Sequence, residues 1–153
     1  MVEQKIKEIL GYELPPFVKP LGNYVPSLIS GNLLYTSGQV PLKEGKLLAA
    51  GHCGKELTKE QGKDCALQCA INALASVKFT LNDLNKIHRV VRASVFVNSA
   101  SGFTDQPFVA NGVSDFLVQI FGENGKHTRL AIGVAELPIN SPCEVDIIFE
   151  LKP

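Results

Sequence analysis

The sequence predicts an α+β fold, with two amphipathic helices laid on one face of a mixed β-sheet. Three observations carry this. Apolar side chains recur near a 3.6-residue period over residues 66–77 and again over 108–120. The stretches 25–29, 33–37 and 87–98, and two runs within 127–151, show strand composition or period-two alternation. Their order along the chain is strand, strand, a further short strand, helix, strand, helix, strand, strand, which suits a two-layer sandwich. No third helix is available to cover the other sheet face, so self-association through the sheets is expected.

Each element has a local reason. Val2, Ile6, Ile9 and Leu10 lie at helical spacing before Gly11, which predicts a short first helix. Pro15, Pro16 and Pro20 keep the next passage extended, as a surface connector or an arm wrapped on the body. Residues 1–21 are therefore read as a helix and proline-rich arm, and 22–153 as one domain. Ser30-Gly31-Asn32 suits a hairpin between the first two strands. Lys43-Glu44-Gly45-Lys46 reads as a turn and Gly51-His52-Cys53-Gly54 as a loop. Thr58 and Gln61 fit a capping box at the start of the first long helix, which should end between Phe79 and Asn82. Residues 87–98 alternate and are rich in β-branched side chains, as in one long strand. Thr104 or Asp105 should cap the second long helix, and residues 122–125 should end it.

Composition narrows the function. The 153 residues suffice for one domain with a good core. Formal net charge is zero, so no basic surface marks a nucleic-acid or membrane-surface partner. No apolar run approaches the roughly 20 residues that span a bilayer. The charged N-terminal segment lacks a signal core, and the four cysteines lack a framework spacing, so reduced thiols in a cytoplasmic setting are expected.

The last two runs hold the candidate chemistry. His127, Arg129, Ala131, Gly133 and Ala135 share one face of the first run, opposite the apolar Leu130, Ile132 and Val134. A guanidinium among small side chains has room for an anionic ligand, although a surface salt bridge is an equally open reading. In the second run Glu144, Asp146 and Glu150 share a face. A solvated role competes there with a functional one. Gly38 after Ser37 permits a kink or a close approach to the main chain. Cys65 and Cys69, with His52 and Cys53, match no standard zinc spacing, and the plain reading of the two helical cysteines is core packing. His88, His127 and Cys143 are tied to no catalytic motif, and no nucleophile elbow, P-loop or GxGxxG is present.

These residues together resemble a known family. Tyr24-Val25, the strand ending Thr36-Ser37-Gly38-Gln39-Val40-Pro41, Val95-Phe96-Val97, and the R-x7-LP-x5-E pattern from Arg129 through Leu137-Pro138 to Glu144 look like the reactive-intermediate (imine) deaminases. This is the YjgF family, whose older labels include endoribonuclease L-PSP. The likeness covers about residues 22–151, with residues 1–21 as an extension of a longer subgroup. It implies a chorismate-mutase-like fold and a homotrimer with its sheets facing inward. It also implies clefts between subunits that hydrolyse 2-imino acids or enamines to 2-keto acids and ammonia, without metal or organic cofactor. Residue by residue, it places Arg129 on the substrate carboxylate and Glu144 on the water. Ser37, Gly38, Tyr24, Asn111 and Ala131 fall at the pocket wall. Backbone N–H groups at Ser37 and Gly38 would add anion contacts.

Departures are visible as well. Ala131 stands where the imine deaminases commonly carry cysteine, and His127 where proline is frequent. A non-catalytic trimeric module that binds small carboxylate metabolites is therefore the alternative. RNA cleavage, named by the older labels, ranks behind both. A further expectation rests on pairing the last two runs as a hairpin about Ile139-Asn140. Arg129 would then lie opposite residue 150, on the order of 20 Å from Glu144. The two would have to meet across a subunit boundary.

Overall fold

The computed structural model describes residues 1–153. Three helices, α1 (Val2–Leu10), α2 (Lys59–Leu81) and α3 (Gln106–Phe121), accompany seven strands. The strands are β1 (Ser27–Ser30), β2 (Leu33–Thr36), β3 (Leu42–Lys43), β4 (Lys46–Leu47), β5 (Ile87–Asn98), β6 (Thr128–Val134) and β7 (Cys143–Leu151). Five of them form one mixed sheet in the order β1-β2-β7-β5-β6, and β3 and β4 form a separate small ladder.

Local chemistry accounts for the boundaries. At the head of α2, the Thr58 hydroxyl accepts the Gln61 N–H and the Gln61 side chain accepts the Thr58 N–H, the capping box expected from sequence. The helix stops at Asn82, which takes a left-handed φ of 61°. Asp105 sits at the N-cap of α3 but makes no side-chain cap bond. Instead, the Gln106 carboxamide donates to Phe103 O and Ser99 Oγ and ties the helix start to the preceding loop. β1 begins at Ser27, two residues later than the sequence suggests, because Pro26 has no N–H to donate. β2 ends at Thr36, leaving Ser37 just outside it. The Lys43–Lys46 turn closes the β3–β4 ladder with positive φ at both Glu44 and Gly45.

The hairpin expected between the last two runs is not formed. β5 lies between β6 and β7, pairing parallel with β6 and antiparallel with β7. A parallel pair requires a crossover, and α3 supplies it. The short link from β6 to β7 therefore passes over the end of β5. A 3-10 turn at Pro138–Asn140, with Ile139 and Asn140 at positive φ, makes that passage. Asn98, the last residue of β5, secures it by donating its N–H to Pro142 O.

α2 and α3 cover one face of the sheet over Ala93, Val95, Val97, Val145, Ile147 and Phe149, all fully buried. The two helices approach closely where each carries a glycine. A Cβ on Gly112 would strike the Lys63 carbonyl oxygen, and one on Gly62 would sit 3.1 Å from Val109 Cγ2 of α3. α1 joins the same core by burying Ile6. Its start is fixed by Val2 N–H on Asn85 Oδ1 and by Glu3 Oε1 accepting Leu84 N–H, both at 3.1 Å. The proline-rich arm then lays Phe17 on Phe79 of α2, with ring centroids 4.7 Å apart. The opposite sheet face is open: Leu28, Tyr35 and Ile132 are exposed there. No helix is long and apolar enough to cross a membrane.

Gly112→Ala should lower the unfolding free energy by about 1–3 kcal/mol, the usual scale of overpacking. Urea titration checks it; wild-type stability would show that the crossing of α2 and α3 has slack.

Candidate functional site

Arg129 projects from β6, an edge strand, toward the helix layer. It pairs with Ala93, a residue of the helix-covered face, and so shares that face. Its Nη1 donates to Asn111 Oδ1 at 2.8 Å and to Ser114 Oγ at 3.2 Å, both on α3. Asn111 and Ser114 are three apart, which puts them on one helix face. The guanidinium remains exposed and forms no salt bridge, so its other N–H donors are free for a ligand.

Two residues along β6, Ala131 is half-buried against the core. Gly133 comes next on that face. A Cβ there would lie 2.9 Å from both Gln106 Nε2 and Ser99 Oγ. The helix-side face of β6 is thus basic at Arg129, small at Ala131, and flanked by polar side chains at Gly133.

Glu144 belongs to the other face. It pairs with Phe96, and the alternation of β5 sends Phe96 away from the helices. Its carboxylate rests on the α-carbon of Gly38, where a Cβ would collide with Oε1. A side chain at Gly38 would have to displace the Glu144 carboxylate, the flexible end of that residue. Burial, and secondarily the Asp146 carboxylate on the same face, push the Glu144 carboxyl above its ordinary range. Glu144 is half-buried and has neither a hydrogen-bond nor a salt-bridge partner in the chain, so its carboxylate is uncommitted.

Ser37 does a different job from the one expected. Its hydroxyl donates to Val25 O and its N–H to Pro26 O at 2.9 Å. Both groups are committed to holding the end of the arm, which leaves only the Gly38 N–H for an anion. These bonds hold the two residues that follow Tyr24, whose side chain is 60 % exposed.

Arg129 with Asn111 and Ala131, and Glu144 with Gly38, are therefore two candidate half-sites, and no hydrogen bond ties Tyr24 to either. In register, Arg129 aligns with Ala93 and Glu144 with Phe96, an offset of three residues, or about 10 Å along the strands. They also sit two strands apart and on opposite faces. One chain does not bring them into one pocket. The hairpin argument for their separation is wrong, yet the separation stands for another reason: β5 intervenes, and strand alternation turns the two side chains apart.

The cysteines are core residues. All four are free and buried, with Cys69 and Cys143 Sγ atoms 3.7 Å apart. Burial pushes the Cys53 thiol up to about 11 and the Cys65 thiol to about 12. No group of three or more His, Cys, Asp or Glu side chains is placed to hold a metal ion.

Residues 5–151 match the sequence profile of a family described as "YjgF/chorismate mutase-like, putative endoribonuclease". The chain belongs to the YjgF family. Its profile reaches back into α1, further than the motifs alone suggest. Among relatives, Protein TCP17 of Trypanosoma cruzi is 42 % identical over 144 residues, 94 % of this chain and 90 % of that protein. The 2-iminobutanoate/2-iminopropanoate deaminase of Dermatophagoides farinae is 28 % identical over 146 residues, covering 95 % and 98 %. Among solved structures, the protein Atu1372 from Agrobacterium tumefaciens, of unknown function, superposes with a TM-score of 0.91 at 43 % identity, over 99 % of this chain and 92 % of that one.

Sequence reasoning passed over Ser114 and Gln106; the signal for Ser114 was its i, i+3 spacing from Asn111.

Two outcomes test this geometry. Native protein at pH 8 should react with a thiol reagent at none of its four cysteines, and at all four once unfolded. Fast labelling of the native chain would show the core to be open. Because the folded chain raises the Glu144 pKa, ionising this carboxyl removes stability as pH climbs from the ordinary glutamate value through the shifted one. Glu144→Gln should therefore melt higher than wild type at neutral pH, with the gap closing on acidification below pH 4.5. An equal or lower melting point at neutral pH would contradict the burial argument.

Proposed function

We propose that this protein hydrolyses reactive 2-imino acids, or their enamine tautomers, to 2-keto acids and ammonia in clefts between the subunits of a homotrimer. The observation that carries the reading is the division of the chemistry into two half-sites. A carboxylate-binding guanidinium with free donors lies on one face, and a half-buried carboxylate of raised pKa lies on the other. A second copy of the chain is the economical way to bring them together, and the exposed apolar residues of the open sheet face suit that association. The name of the Dermatophagoides farinae relative supports the same chemistry.

In this reading Arg129 binds the substrate carboxylate through its remaining N–H groups and presents the C=N carbon to water. The protonated imine is already electrophilic. Water attacks its carbon, the C=N π pair moves to nitrogen, and Glu144 takes the water proton. Glu144 then returns that proton to the nitrogen of the carbinolamine. The C–N bond breaks, ammonia leaves with the electron pair, and the hydroxyl proton passes to it as the carbonyl forms. Glu144 ends as it began, and no oxidant or cofactor enters the balance. A carboxyl with a raised pKa is suited to both transfers.

Ala131 favours a second reading. Without the cysteine common at this place, the site holds carboxylates with no turnover. The discriminating assay couples an amino-acid oxidase to keto-acid detection over a panel of amino acids. Wild-type protein should speed keto-acid release, and Arg129→Ala should lower kcat/KM about 100-fold, the scale of losing two charge-assisted hydrogen bonds. No acceleration, together with a pyruvate-induced rise in melting temperature that Arg129→Ala removes, would establish the binding module instead.

A further inference from the structure

The hydrogen bonds around Arg129 continue beyond α3. Ser114 Oγ lies 2.9 Å from His127 Nε2, and His127 Nδ1 lies 2.6 Å from the Gly125 carbonyl oxygen. The chemistry of the atoms fixes the direction of every bond. A carbonyl oxygen only accepts, so the proton of a neutral His127 sits on Nδ1. Nε2 is then a bare acceptor, and the Ser114 hydroxyl must donate to it. With its hydrogen so committed, Ser114 Oγ turns its lone pairs toward Arg129 Nη1, which donates. Each step is forced by the one before.

The far end of the chain is rigid. Gly125 is buried, and a Cβ there would meet the Leu117 carbonyl oxygen and lie 2.8 Å from Val118 Cα. The turn carrying the terminal carbonyl is thus pressed onto the last turns of α3. His127 immediately precedes β6, two residues before Arg129, so one short segment carries both the histidine and the arginine.

We propose that Ser114 and His127 are positioning residues for the carboxylate clamp. The relay from Gly125 O through His127 and Ser114 holds one edge of the Arg129 guanidinium, with Asn111 as the second support. This leaves the opposite edge aimed outward for bidentate contact with a carboxylate. An exposed arginine on an edge strand otherwise samples many rotamers, and fixing its plane before the ligand arrives raises affinity by preorganisation. The role rests on Arg129 being a carboxylate ligand; the tautomer of His127 does not.

Two measurements on the full chain test this. In long-range proton–nitrogen NMR of histidine-labelled protein at pH 8, with the His127 signals identified by their loss in His127→Gln, His127 should be in the Nδ1–H form. Ser114→Ala should shift it toward a tautomer mixture. In calorimetric titration with pyruvate, Ser114→Ala and His127→Ala should each weaken binding about tenfold, the scale of one hydrogen bond to a charged group. His127→Gln, whose amide oxygen can accept from Ser114, should recover most of the loss. An Nε2–H tautomer in wild type overturns the relay. Wild-type affinity in Ser114→Ala, with binding lost in Arg129→Ala, overturns the positioning role alone. Wild-type affinity in Arg129→Ala overturns the carboxylate reading and this role with it.

Discussion

The parallel pairing of β5 with β6 is the constraint from which the rest follows. Parallel neighbours cannot be joined by a tight turn, so the chain must leave the sheet, build α3, and return. That return makes β6 an edge strand directly beneath α3. Arg129 consequently meets Asn111 and Ser114, residues of the helix that carried the chain across. β7 lies on the other side of β5, held between β5 and β2, and strand alternation there turns Glu144 away from the helices.

The two half-sites are held by different means. The cationic half is a side-chain network, supported from an edge strand and from the exposed flank of a helix. The acidic half depends on main-chain proximity. Glu144 lies across a glycine, and that glycine is fixed by the bonds that Ser37 and Gln39 make to Pro26 and Val145. The first resists rotation of one long side chain. The second resists solvation of one carboxylate. An arginine needs its plane controlled, and a proton acceptor needs its hydration limited, so each support suits the group it serves.

Much of this was legible in residue order. The α2 capping box, the β5 span and the buried alternation of β7 follow from local propensity and period, which a single chain segment contains. Strand order is different, because it depends on which partners win. The two runs around Leu137-Pro138 look like a hairpin locally, but β5, long and β-branched, pairs with both and excludes it. The role of Ser37 was misread for a related reason. A sequence shows a hydroxyl and a glycine, not that the arm ahead of them requires both Ser37 donors. Ser114 and His127 gain meaning only once α3 and β6 are adjacent.

The contact of Glu144 with Gly38 has a consequence for divergence within the family. While the carboxylate occupies the space over the α-carbon, position 38 accepts no side chain without displacing it. Should a lineage shorten or lose the acid, that restriction lifts and residue 38 becomes free to drift. The glycine is thus a record of the glutamate: in a descendant chain, a side chain appearing at 38 would mark a pocket whose acid has moved, even where a carboxylate still stands at position 144.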